Sequence, residues 1–438
     1  MSVDEIPSVS PTRATRHRIR VHPGSTDRRS SVRHVRSGDP EVENPPPRDP
    51  ESLVASSMTR MESLRPKDER GASARPGPSQ ASKKTPVRDS RLDNAKFILI
   101  ALVVIGHAIE PVSDYGPASA LYYWIYFFHM PAFIMISGYL SRSFDASSTR
   151  VEKLVLTVAV PYLIFWTIHQ GFYAIERGGL PDSLSILKPT WTLWFLVALF
   201  LWRLSVPLWK RLRWPVATAV IISLFAATTD LSSTLSMGRV VSLLPFFVLG
   251  LSLRREHFDH LDRLWVRVSA VLVLAATTLL ALPISGDFSR EWVFWRDSLI
   301  DRDIDPLMPS VGIRLLFMGI ALAMTFAVLA LTPKRRTWFT SLGAYTLFVY
   351  LGHSVVLLVF KASPWYDVLT GASGLAVNVA LGVALTLLLC TPWVRKCMRW
   401  AVEPRPTWLL GQGDGEPDEK ATGSTRTGTD PKSQKAPV

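Results

Sequence analysis

Cysteine is scarce in this chain: only Cys390 and Cys397 occur among 438 residues, which excludes a scaffold held together by disulfides. The sequence has no His-x-x-x-His pair, so we expect no metal site. It also lacks a glycine-rich phosphate loop and a Gly-x-Ser-x-Gly elbow. Any chemistry that the protein performs must therefore come from residues outside these familiar motifs.

Long apolar runs are absent from both ends of the sequence. Residues 1–90 carry 17 Lys and Arg against 12 Asp and Glu, and residues 405–438 are rich in Gly, Thr, Asp and Lys. Such segments cannot offset their chain entropy by apolar burial, so we predict two disordered tails. The start also lacks the apolar core of a signal peptide, and none is expected. The arginine clusters of the first tail could bind anionic lipid or nucleic acid. Their interleaved acids favour a solvated tail instead.

Between the tails, the sequence contains repeated apolar runs of about 14–22 residues, long enough to cross a membrane core of about 30 Å. Lipid satisfies no backbone hydrogen bonds, and the runs lack the alternation of barrel strands, so they must be helices. We predict an all-α, polytopic membrane protein with a bundle of about ten helices over residues 91–404. The ten runs are 95–112, 121–140, 154–175, 191–208, 214–230, 240–253, 265–285, 311–332, 340–360 and 374–392.

Loop charges predict the orientation of this bundle, because short cytoplasmic loops are enriched in Lys and Arg. With the N-terminus inside, alternate short loops hold the basic clusters, and the ten spans place both termini in the cytoplasm. The predicted location is the plasma membrane of a bacterial cell. The predicted inside loops hold Arg142, Arg150, Lys153, Lys210, Arg211, Arg213, Arg254, Arg255, Arg263, Arg267, Lys334, Arg335, Arg336, Arg395, Lys396 and Arg399. The long outside loop 286–310 carries Trp292 and Trp295, and we expect it to bind a ligand.

Ionisable side chains inside the predicted spans mark candidate functional sites, because burying them in lipid is costly. Lys96 and His107 are 11 residues apart in the first span, which returns them to within about 20° of one helix face. Their axial separation of about 16 Å prevents direct contact. Asp93 lies near the same face. The two residues are therefore expected to act at different depths of one groove.

Three further histidines fall inside predicted spans. His129 precedes Pro131, which removes a backbone donor and predicts a kink beside the imidazole. His169 and His353 occur singly, and each could be a hydrogen-bonded packing residue. The packing interpretation suits these two better than it suits His107 and His129. The tryptophans near span ends, Trp191 and Trp194 among them, are typical of an interfacial belt.

Several short motifs resemble the acyltransferase 3 family, and within it the fucose 4-O-acetylase-like membrane acyltransferases. They are LDNAK at 92–96, VVIGH at 103–107, FFHMP at 127–131 and SGY at 137–139. Weaker matches occur at 160–163, 192–196, 245–250 and 346–353, so the resemblance spans about 91–400. The family's basic-residue-x10-His motif falls on Lys96 and His107. Gly352 departs from the apolar residue that many members have before His353, and the long first tail lies outside the family pattern.

The resemblance implies an enzyme that moves an acyl group, usually acetyl, from acyl-CoA to a hydroxyl of a carbohydrate or glycoconjugate. Acetyl-CoA would be a co-substrate, with no tightly bound cofactor. His107 would be the general base, with Glu110 one turn away to orient it, although Glu110 could equally be an exposed helix-end residue. His129 would donate to the thioester oxyanion. Direct attack and an acyl-histidine intermediate both remain open.

Binding roles follow in the same way. The CoA phosphates are expected to meet cations at the cytoplasmic end, namely Lys96, Arg91, Arg150 and Lys153. The residues predicted to bind substrate are Asp93, Asn94, Trp194, Arg239, Trp292, Trp295 and His353. A transporter or flippase of a glycolipid is the alternative, since polar groups along a groove also suit a translocation path. The paired histidine motifs and the absence of broken-helix repeats favour the enzyme.

Overall fold

The computed structural model describes residues 90–180, 184–228, 231, 234–284, 294–295 and 307–404. All of them belong to the larger of two compact units, Lys83–Val438, the other being Met1–Ser82. The two predicted tails lie outside the described residues, apart from Ser90, and so does Trp292. The regular elements of the described residues are helices, as the sequence predicts.

The helices are numbered in chain order. They are α1 (Ser90–Ile109), α2 (Gly116–Leu140), α3 (Ser148–Leu154), α4 (Val160–Arg177), α5 (Trp194–Arg211), α6 (Pro215–Ala227), α7 (Met237–Ser242), α8 (Leu244–Ser252), α9 (Arg255–His260), α10 (Leu264–Ile284), α11 (Leu307–Leu331), α12 (Thr346–Lys361), α13 (Trp365–Val368), α14 (Gly371–Leu389) and α15 (Pro392–Val402). A π-helical turn, Val155–Ala159, joins α3 to α4.

Each of the ten predicted apolar runs coincides with a helix or a helix pair. Seven helices of the described residues are long and apolar enough to cross a membrane, and the pair α7–α8, bent by 55°, makes an eighth if it is one span. The helices α6 and α12 are apolar but shorter. The described residues therefore contain seven or eight candidate full-length spans, which is typical of an integral membrane protein. The count of ten stays a prediction.

Prolines explain where several helices begin and why α2 lacks one backbone hydrogen bond. Pro215 and Pro392 open α6 and α15, where the missing N–H has no intrahelical partner to lose. Pro161 opens α4 directly after the π-helical turn. Pro131 instead lies inside α2, which continues as a helix through it. Its missing N–H frees the carbonyl of Phe127 one turn earlier.

The helix α2 is the centre of the bundle and packs against α1, α8, α10 and α11. Two glycines make its crossing with α8 unusually close. A Cβ at Gly138 would lie 2.1 Å from the carbonyl oxygen of Phe247, and one at Gly250 would lie 2.1 Å from that of Met135. Lipid gives no hydrophobic drive between spans, so close backbone approach is a main source of packing energy there.

The ends of α1 and α2 establish two ends of the bundle. Arg91 in the first turn of α1 donates a 2.8 Å hydrogen bond to the carbonyl of Phe258. The Phe258 ring packs edge-to-face on Tyr139 in the last turn of α2, with centroids 4.8 Å apart. We call this the Arg91 end. The opposite end, where α1 finishes with His107, is called the His107 end.

Candidate active site

A cavity of about 700 Å³ opens beside the last turn of α1, and we call it the His107 cavity. Its wall is strongly aromatic and includes Tyr126, Trp191, Trp194, Phe294, Trp295 and Tyr350. Its ionisable residues are His107, Glu110, His129, Lys188 and Arg239. A cavity of this size with a few polar groups among aromatic rings has the character of a small-molecule site.

His107 is held through Nδ1. The Tyr126 hydroxyl oxygen lies 2.9 Å from this nitrogen, and Glu110 Oε2 lies 3.7 Å from it. Glu110 begins the 3₁₀ turn that follows α1, which places it three residues from His107. Since Tyr126 and Glu110 both face Nδ1, the second ring nitrogen, Nε2, is the one left to meet a substrate.

Glu110 is itself fixed by Lys361, the last residue of α12. Lys361 Nζ donates a 3.0 Å hydrogen bond to Glu110 Oε2 and lies 4.4 Å from the centre of the Trp191 ring. Trp191 in turn meets the His107 ring edge-to-face, with centroids 5.1 Å apart. The ion pair therefore forms one wall around the imidazole and balances the carboxylate charge beside it.

His353 stacks on His107, with centroids 5.5 Å apart and planes inclined by 29°. Its Nδ1 lies 3.0 Å from the Val349 carbonyl, and its buried Nε2 has no hydrogen-bond partner among the described residues. His353 thus packs against one face of the His107 ring. His169 is fully buried and contacts the hydroxyls of Thr190 and Ser354.

His129 is 2 % exposed and lines the same cavity from α2. Its Nδ1 lies 2.7 Å from the carbonyl of Ile125, so Nδ1 carries the proton and donates it. The Nε2 of the neutral ring is then an acceptor. Donation to an oxyanion, the role expected from the sequence, requires a second proton on this imidazole.

Arg239 and two residues of the segment after α10 complete the wall. Arg239 Nε donates a 3.2 Å hydrogen bond to the Phe294 carbonyl, and its guanidinium lies 5.1 Å above the Trp194 ring. Trp295 is buried, and its indole nitrogen has no hydrogen-bond partner among the described residues. Trp191 and Trp194 therefore line the cavity, although their position near a span end is typical of an interfacial belt.

The other residues chosen from the sequence lie outside this wall. Lys96 Nζ pairs with Asp93 Oδ1 at 2.8 Å, and Arg91 pairs with Asp262. Arg150 forms a 3.5 Å pair with Asp145 on the surface. Lys153 is exposed.

Asn94 is completely buried, and it fastens the segment before α12 to α1. Its amide nitrogen donates to the carbonyls of Pro333 and Arg335 at 2.8 and 3.1 Å. Its amide oxygen accepts hydrogen bonds from Thr337 and Thr340 at 3.0 and 2.7 Å. The side chain is thus fully engaged within the protein, in a position where it has no free group for a substrate.

The structure thus brings together His107, Glu110, His129, Trp194, Arg239 and Trp295. Sequence reasoning missed Tyr126 and Lys361. Tyr126 is three residues before His129, a helical spacing that could have revealed it. Lys361 is 251 residues from Glu110 and has no such signal.

Comparison with known proteins agrees with these observations. A family model described as an acyltransferase domain matches residues 89–394. Nodulation protein NolL of Sinorhizobium fredii is 25% identical over 324 residues, which cover 68% of this chain and 86% of that protein. Its namesake from Mesorhizobium japonicum is 24% identical over 327 residues, covering 69% and 85%. No solved structure matches the chain significantly. Because the family model covers most of the chain, this protein belongs to the acyltransferase 3 family and is a membrane O-acyltransferase.

Proposed function

We propose that this enzyme transfers an acyl group, acetyl by family resemblance, from acyl-CoA to a hydroxyl of a carbohydrate or glycoconjugate. The observation that carries the proposal is the His107 cavity of about 700 Å³, in which an oriented imidazole faces aromatic side chains. Indole rings offer flat apolar faces against which a sugar ring can pack. Two buried polar atoms in this wall, Trp295 Nε1 and Thr192 Oγ1, have no partner among the described residues, and a polar ligand would satisfy them.

His107 acts as the general base in this proposal. Its Nε2 takes the proton from the acceptor hydroxyl while the oxygen attacks the thioester carbonyl carbon. The carbon–sulfur bond then breaks, and the proton on His107 passes to the departing CoA sulfur. Glu110 and Tyr126, both facing Nδ1, hold the ring and stabilise its protonated form. The permanently charged Arg239 lies in the same wall and can stabilise the oxyanion without a further proton.

The proposed membrane arrangement has ten spans and two cytoplasmic tails, with the Arg91 end facing the cytoplasm. The coincidence of every predicted apolar run with a helix supports it. So does the position of the exposed Lys334, Arg335 and Arg336 segment, which Asn94 fastens to the Arg91 end. Acyl-CoA then enters from the cytoplasm, and the acceptor meets the His107 cavity at the opposite side of the plasma membrane.

The test is replacement of the general base. His107→Asn keeps a polar side chain of similar size but removes the imidazole, and we expect transfer of radiolabelled acetyl from acetyl-CoA to cell glycans to fall by about 100-fold or more. His260→Asn is the matched control, because His260 is exposed on α9 outside the cavity wall. Transfer that persists in His107→Asn at an equal protein level would refute the assignment of the base.

A further inference from the structure

Three cations, two from α5 and one from the turn itself, meet at the turn that follows α2. Arg203 in α5 donates from Nε to the Ser141 hydroxyl at 3.2 Å, and Lys210 in the last turn of α5 donates to the Phe144 carbonyl at 2.8 Å. Arg142 donates from Nε to the Tyr139 carbonyl and from Nη1 to the Leu253 carbonyl, at 2.9 and 2.8 Å. We call Arg142, Arg203 and Lys210 the turn cations. Because Tyr139 packs on Phe258, they lie at the Arg91 end.

The turn cations form no ion pair with a carboxylate in the part of the chain that the structure describes, and their partners there are carbonyl and hydroxyl oxygens. The cations chosen from the sequence differ in this respect. Lys96 is neutralised by Asp93, and Arg91 by Asp262.

Asp145, the acid nearest to the turn cations along the chain, is also engaged elsewhere. It pairs with Arg150 at 3.5 Å. It accepts a hydrogen bond from the Ser147 backbone N–H, which holds the pKa of that carboxyl below its usual range. The turn cations are therefore an uncompensated positive charge.

The position of Arg203 inside a predicted membrane span is unusual for a charged side chain. It lies inside the apolar helix Trp191–Arg211 and is half-buried, eight residues or about 12 Å before the helix ends. A guanidinium inside a span is costly unless a partner compensates it, and such residues mark binding paths. Its two terminal nitrogens have no hydrogen-bond partner among the described residues. They remain available as a planar pair of donors.

A planar pair of charged donors suits phosphate, which Arg can bind through two parallel hydrogen bonds. Lys210 adds a point charge nearer the surface, and one carbonyl uses only one of its three donors. We propose that Arg142, Arg203 and Lys210 form a phosphate-binding site that receives the phosphates of the acyl-CoA donor. The inference rests on the proposed function and reassigns the anion-binding part of it away from Lys96 and Arg91.

Depth distinguishes this ligand from a lipid headgroup, which carries the same phosphate chemistry. A headgroup at the membrane surface can reach Lys210 at the end of α5. Arg203 lies seven residues, or about 10 Å, further along the helix. A linear ligand with several phosphates and a flexible arm can occupy both levels, with the arm continuing toward the His107 end.

The test measures CoA binding directly, by calorimetry on the full-length protein in phosphatidylcholine nanodiscs. We expect Arg203→Met to weaken the binding of CoA, and of 3′,5′-ADP as the phosphate-bearing part alone, by at least tenfold. Arg203→Lys should lose less affinity for CoA, because lysine keeps the positive charge and lacks only the planar pair of donors. Arg211→Met is the matched control: Arg211 is exposed at the end of the same helix, and we expect its loss to change the Kd less than twofold.

The outcomes separate the two proposals and the two sources of phosphate. If the wild-type protein binds CoA and Arg203→Met binds it equally well, the phosphate site at the turn cations is refuted, while acyl-CoA remains the proposed acyl donor. If the wild-type protein binds no CoA, both are refuted. If Arg203→Met changes only the response to added phosphatidylglycerol, the site is a lipid site and the proposal fails. Should Arg203→Met fail to fold, Lys210→Met, whose side chain is exposed, carries the same expectation for CoA.

Discussion

At the residue scale, the charges around His107 come from distant parts of the chain. The carboxylate of Glu110 faces its Nδ1 at 3.7 Å and would favour a positively charged ring. Lys361 opposes this by pairing with Glu110 at 3.0 Å. The proposed mechanism needs an unprotonated base, and the positive charge of Lys361 opposes protonation of the His107 ring.

Replacing Lys361 should therefore shift the pH dependence of the reaction. In Lys361→Met the charge of the Glu110 carboxylate is no longer balanced and stabilises the protonated imidazole. A larger fraction of His107 is then protonated at acidic pH and cannot act as the base. We expect the acidic limb of the activity profile to move to higher pH by about one unit, with Lys361→Arg close to wild type. Lys396→Met, which removes an exposed lysine from α15, serves as the control. An unmoved acidic limb would contradict this role for Lys361.

At the scale of elements, the glycines of two resemblance motifs have a physical reason. Gly138 of the SGY motif and Gly250 of the segment 245–250 let the backbones of α2 and α8 touch. The same crossing positions the residues one to three turns away on α2, among them Tyr126 and His129 of the cavity wall. The SGY motif thus helps to position the FFHMP motif, which contributes His129 to the cavity wall.

Adding a single methyl group at this crossing should destabilise the bundle. In Gly138→Ala the new Cβ would lie 2.1 Å from the Phe247 carbonyl oxygen, so the helices must separate, at a cost of about 1–3 kcal/mol. Thermal unfolding in detergent measures the effect. Gly319→Ala in α11 is the control, since nothing lies within 4 Å of its Cβ position and alanine favours the helix by about 0.5–1 kcal/mol. Equal unfolding temperatures for both variants would contradict the close crossing.

At the scale of the whole molecule, charge is segregated by position along the bundle. The net charge of +13 is not one basic surface. Exposed basic side chains concentrate in the loops predicted to be cytoplasmic and on α15, whereas Glu110 and Lys361 compensate each other at the His107 end. This asymmetry predicts an orientation that the two native cysteines can report, because Cys390 is buried and Cys397 is exposed.

Cysteine labelling tests that orientation. We expect a membrane-impermeant maleimide to leave Cys397 unmodified in intact cells and to label it after permeabilisation, because the proposed topology puts α15 at the cytoplasmic surface. Asp114→Cys in a Cys397→Ser background is the control, since Asp114 is exposed between α1 and α2 at the His107 end and should react in intact cells. Labelling of Cys397 from outside intact cells would reverse the proposed topology.

The sequence was enough to predict the class of fold and part of the site. Apolar length predicts helices wherever lipid satisfies no backbone group, and the structure has a helix at each of the ten runs. Local spacing likewise placed Glu110 beside His107, since three residues are one helical turn. It placed Lys96 beside Asp93 as well, but the ion pair between them was not foreseen.

Only the tertiary structure decided which groups act on one another across the bundle. Lys361 reaches Glu110 over 251 residues, and Arg203 reaches Ser141 over 62, so neither contact has a periodicity to reveal it. Tertiary structure also decides whether each charged side chain is paired with one of opposite charge. A cation in a span is equally costly in any sequence, but whether a carboxylate neutralises it, as Asp262 does for Arg91, or leaves it open to a ligand, as at Arg203, depends on helix packing. The sequence alone determined that charges lie within the spans, and the packing of the helices determined which of them remain free to bind.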